Sequence, residues 1–144
     1  MSIRRAEATD VHAIYDIGKQ CFSDAWREET VKSDMKREGA LYLVAEEAGE
    51  ILGYACYWYV LDEAQLVNIG VLPTARRRGI ADTLVTEGLA IAKEKGMTSM
   101  YLEVRVSNLP AQALYRKYGF AVKALRKQVY EYPVEDGYIM ARDI

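Results

Sequence analysis

Arg76-Arg77-Arg78-Gly79-Ile80-Ala81 sets three guanidinium groups beside two small residues, between a strand-like run (Leu66 to Val71) and a helix-like run (Asp82 to Lys95). A helix start carries unpaired backbone N–H groups and about half a positive charge from its dipole. Gly79 and Ala81 remove bulk, so an anion can approach those N–H groups closely. Arginine adds fork-shaped donors suited to phosphate oxygens. Together these groups could hold a pyrophosphate, although a charged loop ahead of a helix of small residues would look similar. A Walker loop needs Gly-Lys followed by Ser or Thr, and none occurs. A Rossmann fingerprint needs three spaced glycines after the first strand, with an acidic residue roughly 20 positions later. Here a single glycine sits in a mid-chain loop.

A second group of polar residues closes another strand-like run, Tyr101-Leu102-Glu103-Val104-Arg105-Val106-Ser107-Asn108. Alternation sends Leu102 and Val104 to one face, and Tyr101, Glu103 and Arg105 to the other. Taken alone, Glu103 is an edge or surface carboxylate, and Tyr115 in the following helix is a core amphiphile. Trp26, Tyr130, Tyr132, Glu135, Asp136 and Tyr138 lie outside regular amphipathic patterns. Aromatic surface and carboxylates from the Ser23–Trp26 and Tyr130–Tyr138 segments suit an extended peptide with a positive N-terminus. Packing of a closing hairpin is the plainer reading of any one of those tyrosines. His12, the only histidine, falls on a surface position of an amphipathic helix. Cys21 and Cys56 lack metal spacing and read as free buried thiols in a reducing cytoplasm. A zinc site or a histidine triad is therefore set aside.

The elements that must position these groups follow from periodicity. Ser2 to Ala6 is a short strand. Thr9 offers an N-cap to a helix carrying Val11, Ile14, Tyr15, Ile17 and Cys21-Phe22. A second helix is expected over Arg27 to Arg37. Leu41 to Glu46 and Ile51 to Val60 form a hairpin, and Gln65 to Val71 continues the sheet until Pro73. Asp82 to Lys95 is the central helix, with Gly96 as its C-cap. Ser99 to Arg105 is a strand. Leu109 to Tyr118 is a helix, with Asn108 as cap and Pro110 in the first turn. Two strands close the chain, Ala121 to Tyr130 and Tyr138 to Arg142. Helices inserted into an otherwise hairpin-connected sheet imply a mixed α/β fold.

The chain has 144 residues, the size of one domain, so residues 1–144 are expected to form a single unit. A hydrophobic fraction of 51% suffices for a core. Net charge is −2, which argues against nucleic acid as the main partner. The longest apolar stretches are too short to span a membrane. No signal peptide is visible, so a cytoplasmic location is expected.

The spacing Arg76-x-x-Gly79-x-Ala81 resembles the acyl-CoA pyrophosphate loop of the GNAT superfamily of N-acetyltransferases. Nearly the whole chain resembles one branch of it, the bacterial ribosomal-protein alanine N-acetyltransferase family. The matching stretches include Leu61-Asp62-Glu63-Ala64, Asn68-Ile69-Gly70-Val71, Leu102 to Asn108, Ala113-Leu114-Tyr115, Gly119-Phe120, Glu135-Asp136, and Cys21-Phe22 with Trp26. The resemblance implies the GNAT fold, with a mostly antiparallel central sheet flanked by helices. It implies acetyl-CoA as co-substrate, no metal, and acetyl transfer to a protein N-terminus, that of the alanine of small-subunit ribosomal protein eighteen. By the same resemblance Glu103 is the general base and Tyr115 the general acid. Ile69, Gly70 and Val71 pair with the pantetheine, the loop Arg76, Arg77, Arg78, Gly79, Ile80, Ala81 and Asp82 holds the pyrophosphate, and Asn108 contacts the CoA arm. Trp26, Tyr130 and Tyr138 would wall the peptide groove. Gly70, Val129 and Gly137 depart from the family's usual residues, the last two at the groove. Acetylation of a small amine or a lysine, or a CoA-binding module without catalysis, would use the same scaffold.

Overall fold

The computed structural model describes all residues, 1–144. Seven strands form one sheet: β1 (Ser2–Arg5), β2 (Ala40–Glu47), β3 (Glu50–Val60), β4 (Glu63–Val71), β5 (Ser99–Arg105), β6 (Ala121–Tyr130) and β7 (Glu135–Asp143). Four α-helices accompany them: α1 (Val11–Cys21), α2 (Glu28–Met35), α3 (Ile80–Glu94) and α4 (Leu109–Lys117). The strand order is β1-β2-β3-β4-β5-β7-β6, and every neighbouring pair is antiparallel except β4–β5. No helix is long and apolar enough to cross a membrane.

Local chemistry explains most boundaries. The β2–β3 turn carries Ala48 at φ 51° and Gly49 at φ 81°, the left-handed pair that a two-residue hairpin demands. The start of α1 differs from the sequence expectation. Thr9 does not cap it; Ala8–Asp10 form a 3-10 turn, and the Asp10 carboxylate accepts the Glu7 N–H at 2.7 Å. The second helix is shorter than Arg27 to Arg37. The last strand starts at Glu135 instead of Tyr138, because Glu135 pairs with Tyr130 and Gly137 with Arg126.

Alternation gives the sheet two buried faces. Ala55 and Tyr57 of β3 and Leu102 and Val104 of β5 join α3 and α4 in the larger core. Tyr54 and Cys56 of β3 join α1 and α2 in the smaller one. Gly88 in α3 lets the Tyr57 ring lie against the helix, where its hydroxyl donates to the Leu84 carbonyl at 2.9 Å.

Candidate active site

β4 and β5 pair only from Glu63↔Ser99 to Leu66↔Leu102. Just beyond, β4 carries a bulge: Tyr57 of β3 faces Leu66 and Cys56 faces Asn68, so Val67 is an extra residue. A bulge bends and twists its strand, and here β4 parts from β5. No strand pairs with Val67–Val71 on the side towards β5. The gap is a cavity of about 840 Å³, lined by this edge, the start of α3, the end of β5, α4, the α1–α2 connection and Tyr130.

At one side lies the arginine loop. Helix α3 starts at Ile80, two residues before the expected Asp82, because Gly79 at φ 75° turns the chain into it. No side chain caps this helix start, and Gly79, Ile80, Ala81 and Asp82 all line the cavity. The three arginines do not act alike. Arg77 lines the cavity from a backbone at φ 64°. Arg76 turns back, its Nε 3.3 Å from the Val71 carbonyl and its Nη2 3.6 Å from Cys21 Sγ. Arg78 does not line the cavity and pairs with Glu47 at 2.6 Å. Alternating directions along a tight turn send one of three consecutive side chains away, which composition cannot reveal. Asp82 accepts from Lys117 and from the Tyr118 hydroxyl, the latter at 2.7 Å; these bonds hold its carboxyl below the usual range and tie α3 to α4.

Glu103 and Tyr115 line the same cavity although they leave opposite faces of the molecule's layers. Glu103 projects from β5 on the α1/α2 side, and its Oε2 accepts from Arg126 Nη1 at 2.8 Å. Tyr115 projects from α4 and is 6% exposed; its carbonyl accepts the N–H groups of Tyr118 and Phe120 at 3.0 and 3.1 Å, while its hydroxyl has no partner within the protein. Burial pushes its phenol well above the ordinary tyrosine range, so it is protonated at neutral pH. Asn108 also lines the cavity. Its Oδ1 accepts the Ala111 N–H at 3.2 Å, which leaves its amide donors free. Buried Gln112, which sequence reading passed over, donates to the carbonyls of Arg105 at 3.1 Å and Val106 at 3.0 Å and fixes the end of β5 against α4.

Trp26 and Tyr130 line the other side of the cavity. Trp26 stacks on Trp58 with ring centroids 6.1 Å apart, and Trp58 donates its indole N–H to Asp34 at 3.0 Å. Trp58 escaped the sequence reading because it sits in an apolar strand run. Arg105 stacks over Tyr130 at 4.5 Å and reaches the carbonyls of Glu131 and Pro133 at 2.8 and 2.9 Å and the Glu135 carboxylate at 3.1 Å. This one side chain holds the β6–β7 connection at the cavity rim. Tyr138 does not line the cavity. Gly137, opposite Arg105, takes the position on the Glu103 face of the sheet, so its neighbour Tyr138 must face the other way, where it packs on the larger core opposite Val104.

The Acetyltransferase (GNAT) family model matches residues 11–120. The chain belongs to the GNAT acetyltransferase family. Its relatives place it in the ribosomal-protein alanine N-acetyltransferase branch. The [ribosomal protein bS18]-alanine N-acetyltransferase of Haemophilus influenzae is 38% identical over 91% of this chain and 88% of that protein. The crystal structure of the ribosomal-protein-S18-alanine N-acetyltransferase from Escherichia coli superposes with a TM-score of 0.93, at 34% identity, over 99% of this chain and 93% of that one. An N-alpha-acetyltransferase of Sulfurisphaera tokodaii is 35% identical over 96% of this chain and 90% of that protein. GNAT enzymes take their acetyl group from acetyl-CoA.

Proposed function

We propose that this GNAT enzyme acetylates the N-terminal α-amino group of a protein, that of the alanine of ribosomal protein bS18, in the cytoplasm. The observation that carries the reading is that Glu103, Tyr115 and the unpaired edge of β4 line one cavity. The named activity of relatives at 34–38% identity supports the acceptor. The two free cysteines suit a reducing compartment.

In the proposed reaction the free edge Ile69–Val71 receives the pantetheine as a strand would, with N–H groups directed at the thioester carbonyl oxygen. Gly79 to Asp82, with Arg76 and Arg77, receive the pyrophosphate, and Asn108 contacts the CoA arm. The acceptor amine, with a pKa of roughly 7.7–8.0, must lose a proton before it attacks. Glu103 takes that proton, directly or through a water. The nitrogen bonds to the thioester carbon, the C–S bond breaks, and Tyr115 donates to the departing sulfur; the second proton, shed by the nitrogen as the amide forms, restores the Tyr115 phenol through solvent. Trp26 and Tyr130 flank the acceptor, with Trp58 behind Trp26.

Removing a general acid or base costs roughly 10²–10⁴-fold in rate. Glu103→Gln should lower kcat by that range at neutral pH and leave acetyl-CoA affinity intact. Raising the pH should restore part of the loss, because more amine is then already free. Tyr115→Phe should lower kcat without that recovery. Normal turnover at neutral pH in a folded Glu103→Gln protein would exclude Glu103 as base. Mass spectrometry of peptides incubated with acetyl-CoA identifies the acceptor atom; acetylated lysine side chains with untouched N-termini would overturn the α-amino reading.

A further inference from the structure

Arg126 and Glu103 stand on strands that are not neighbours: β7 lies between β6 and β5. Strands are spaced about 4.8 Å apart, so the two side chains bridge roughly 10 Å of sheet surface. They meet in a bond of 2.8 Å. The crossing runs beside Gly137, whose Cα pairs with Arg126 on one side and Arg105 on the other. A Cβ on Gly137 would lie 2.8 Å from Tyr130 and from Val129, and 3.5 Å from Glu103 Cγ. The missing side chain thus keeps open the space where Glu103, Tyr130 and Arg126 converge.

Only one oxygen of Glu103 is engaged. Arg126 binds Oε2, while Oε1 has no protein partner. Arg105, the other cation on this face, is committed to the β6–β7 connection. The Glu103 charge is felt by Tyr101 on its own strand, which also feels Glu63 of β4, and by Tyr130 on β6, which also feels Tyr115 of α4 and Asp24 from the α1–α2 connection. None of them is a cation that could replace Arg126. The Arg126 side chain is 58% exposed, and so open an ion pair contributes little to stability.

We propose that Arg126 is the positioning residue of the base, fixing the Glu103 carboxylate through Oε2 so that Oε1 faces the acceptor amine or the water before it. The inference rests on Glu103 being the base. The proton leaving the amine ends on Oε1, and Arg126 keeps its own proton throughout. Without the guanidinium the carboxylate samples other rotamers, and each misplacement slows the proton transfer.

Steady-state kinetics of Arg126→Met, Arg126→Lys, Glu103→Gln and the double Arg126→Met/Glu103→Gln protein test this, with thermal melts confirming the fold. Arg126→Met should lower kcat about 10- to 100-fold, the scale of a displaced catalytic group, with KM for acetyl-CoA unchanged. Arg126→Lys should recover most of the loss. Arg126→Met should add nothing on top of Glu103→Gln. Should the methionine protein fail to fold, Arg126→Gln replaces it. A slow Glu103→Gln enzyme beside a fully active Arg126→Met enzyme overturns the positioning role alone, as do additive losses in the double variant. A fully active Glu103→Gln enzyme removes the base and this inference with it.

Discussion

Gly79 holds φ at 75°, and a Cβ built there would meet nothing within 4 Å. Space within the protein therefore does not demand glycine. Backbone conformation does, since a non-glycine residue at such φ costs about 1–3 kcal/mol, and under the proposed function a side chain there would also block the approach of the pyrophosphate. Gly79→Val should weaken acetyl-CoA binding strongly, measured by calorimetry on protein whose circular dichroism is unchanged. Equal affinity would remove the loop from the phosphate site. Turn and helix-start residues are legible because their signal is local: Gly79, Asn108 and Pro110 announce themselves by type. Glu103 and Tyr115 are not, since by type alone they read as a surface carboxylate and a core amphiphile, and only the family resemblance singles them out. Arg126 was not legible as a partner of Glu103, because their meeting depends on β7 inserting between two strands distant in sequence. Tyr138 was assigned to the groove for its residue type, whereas strand register turns it to the opposite face.

Helix α3 shows how an element is fixed by one contact. Gly88 sits in mid-helix, where glycine usually costs about 1 kcal/mol against alanine. Yet a Cβ there would lie 2.0 Å from the Tyr57 ring. Gly88→Ala should therefore destabilise the protein by about 1–3 kcal/mol or more, against the propensity trend, because either the ring or the helix must move. Chemical denaturation measures the change; a gain in stability would show that the ring can swing aside at no cost. The helix was readable from its period, and so were the hairpins and β5. The sequence places its first turn two residues late because Ile80 and Ala81 belong to the Arg76-x-x-Gly79-x-Ala81 loop motif. The parting of β4 from β5 was not readable, since the bulge at Val67 is defined only against β3.

Across the molecule, Arg4 binds the N-terminal strand to its surroundings. Its guanidinium reaches Asp10 at 2.7 and 3.1 Å and Glu46 at 2.8 Å. The Arg4 hydrogen bond holds the Asp10 carboxyl below its ordinary range. A depressed carboxylate pKa adds stability above the unfolded value of about 3.9, and that stability is lost as the pH falls through the folded value. Asp82 and Glu135 shift the same way. The melting temperature should hold near neutral pH and fall steeply below about pH 4. Asp10→Asn should cost about 1.5–3 kcal/mol at pH 7 and flatten part of that acid decline. An unchanged acid limb in the variant would show that Asp10 does not contribute to it.

The cavity is lined by Tyr115, Leu114 and Ile80 from one layer and by Ile14, Tyr42 and Tyr54 from the other, with exposed Arg77 and Pro110 at one side and exposed Asp24 at the opposite one. Under the proposed reaction the rift between β4 and β5 is a passage through a wall, with a doorway on each side, and two visitors arrive by different doors and meet inside. Neither has to leave before the other enters, and under the proposed reaction the acetyl group changes hands without the protein ever carrying it.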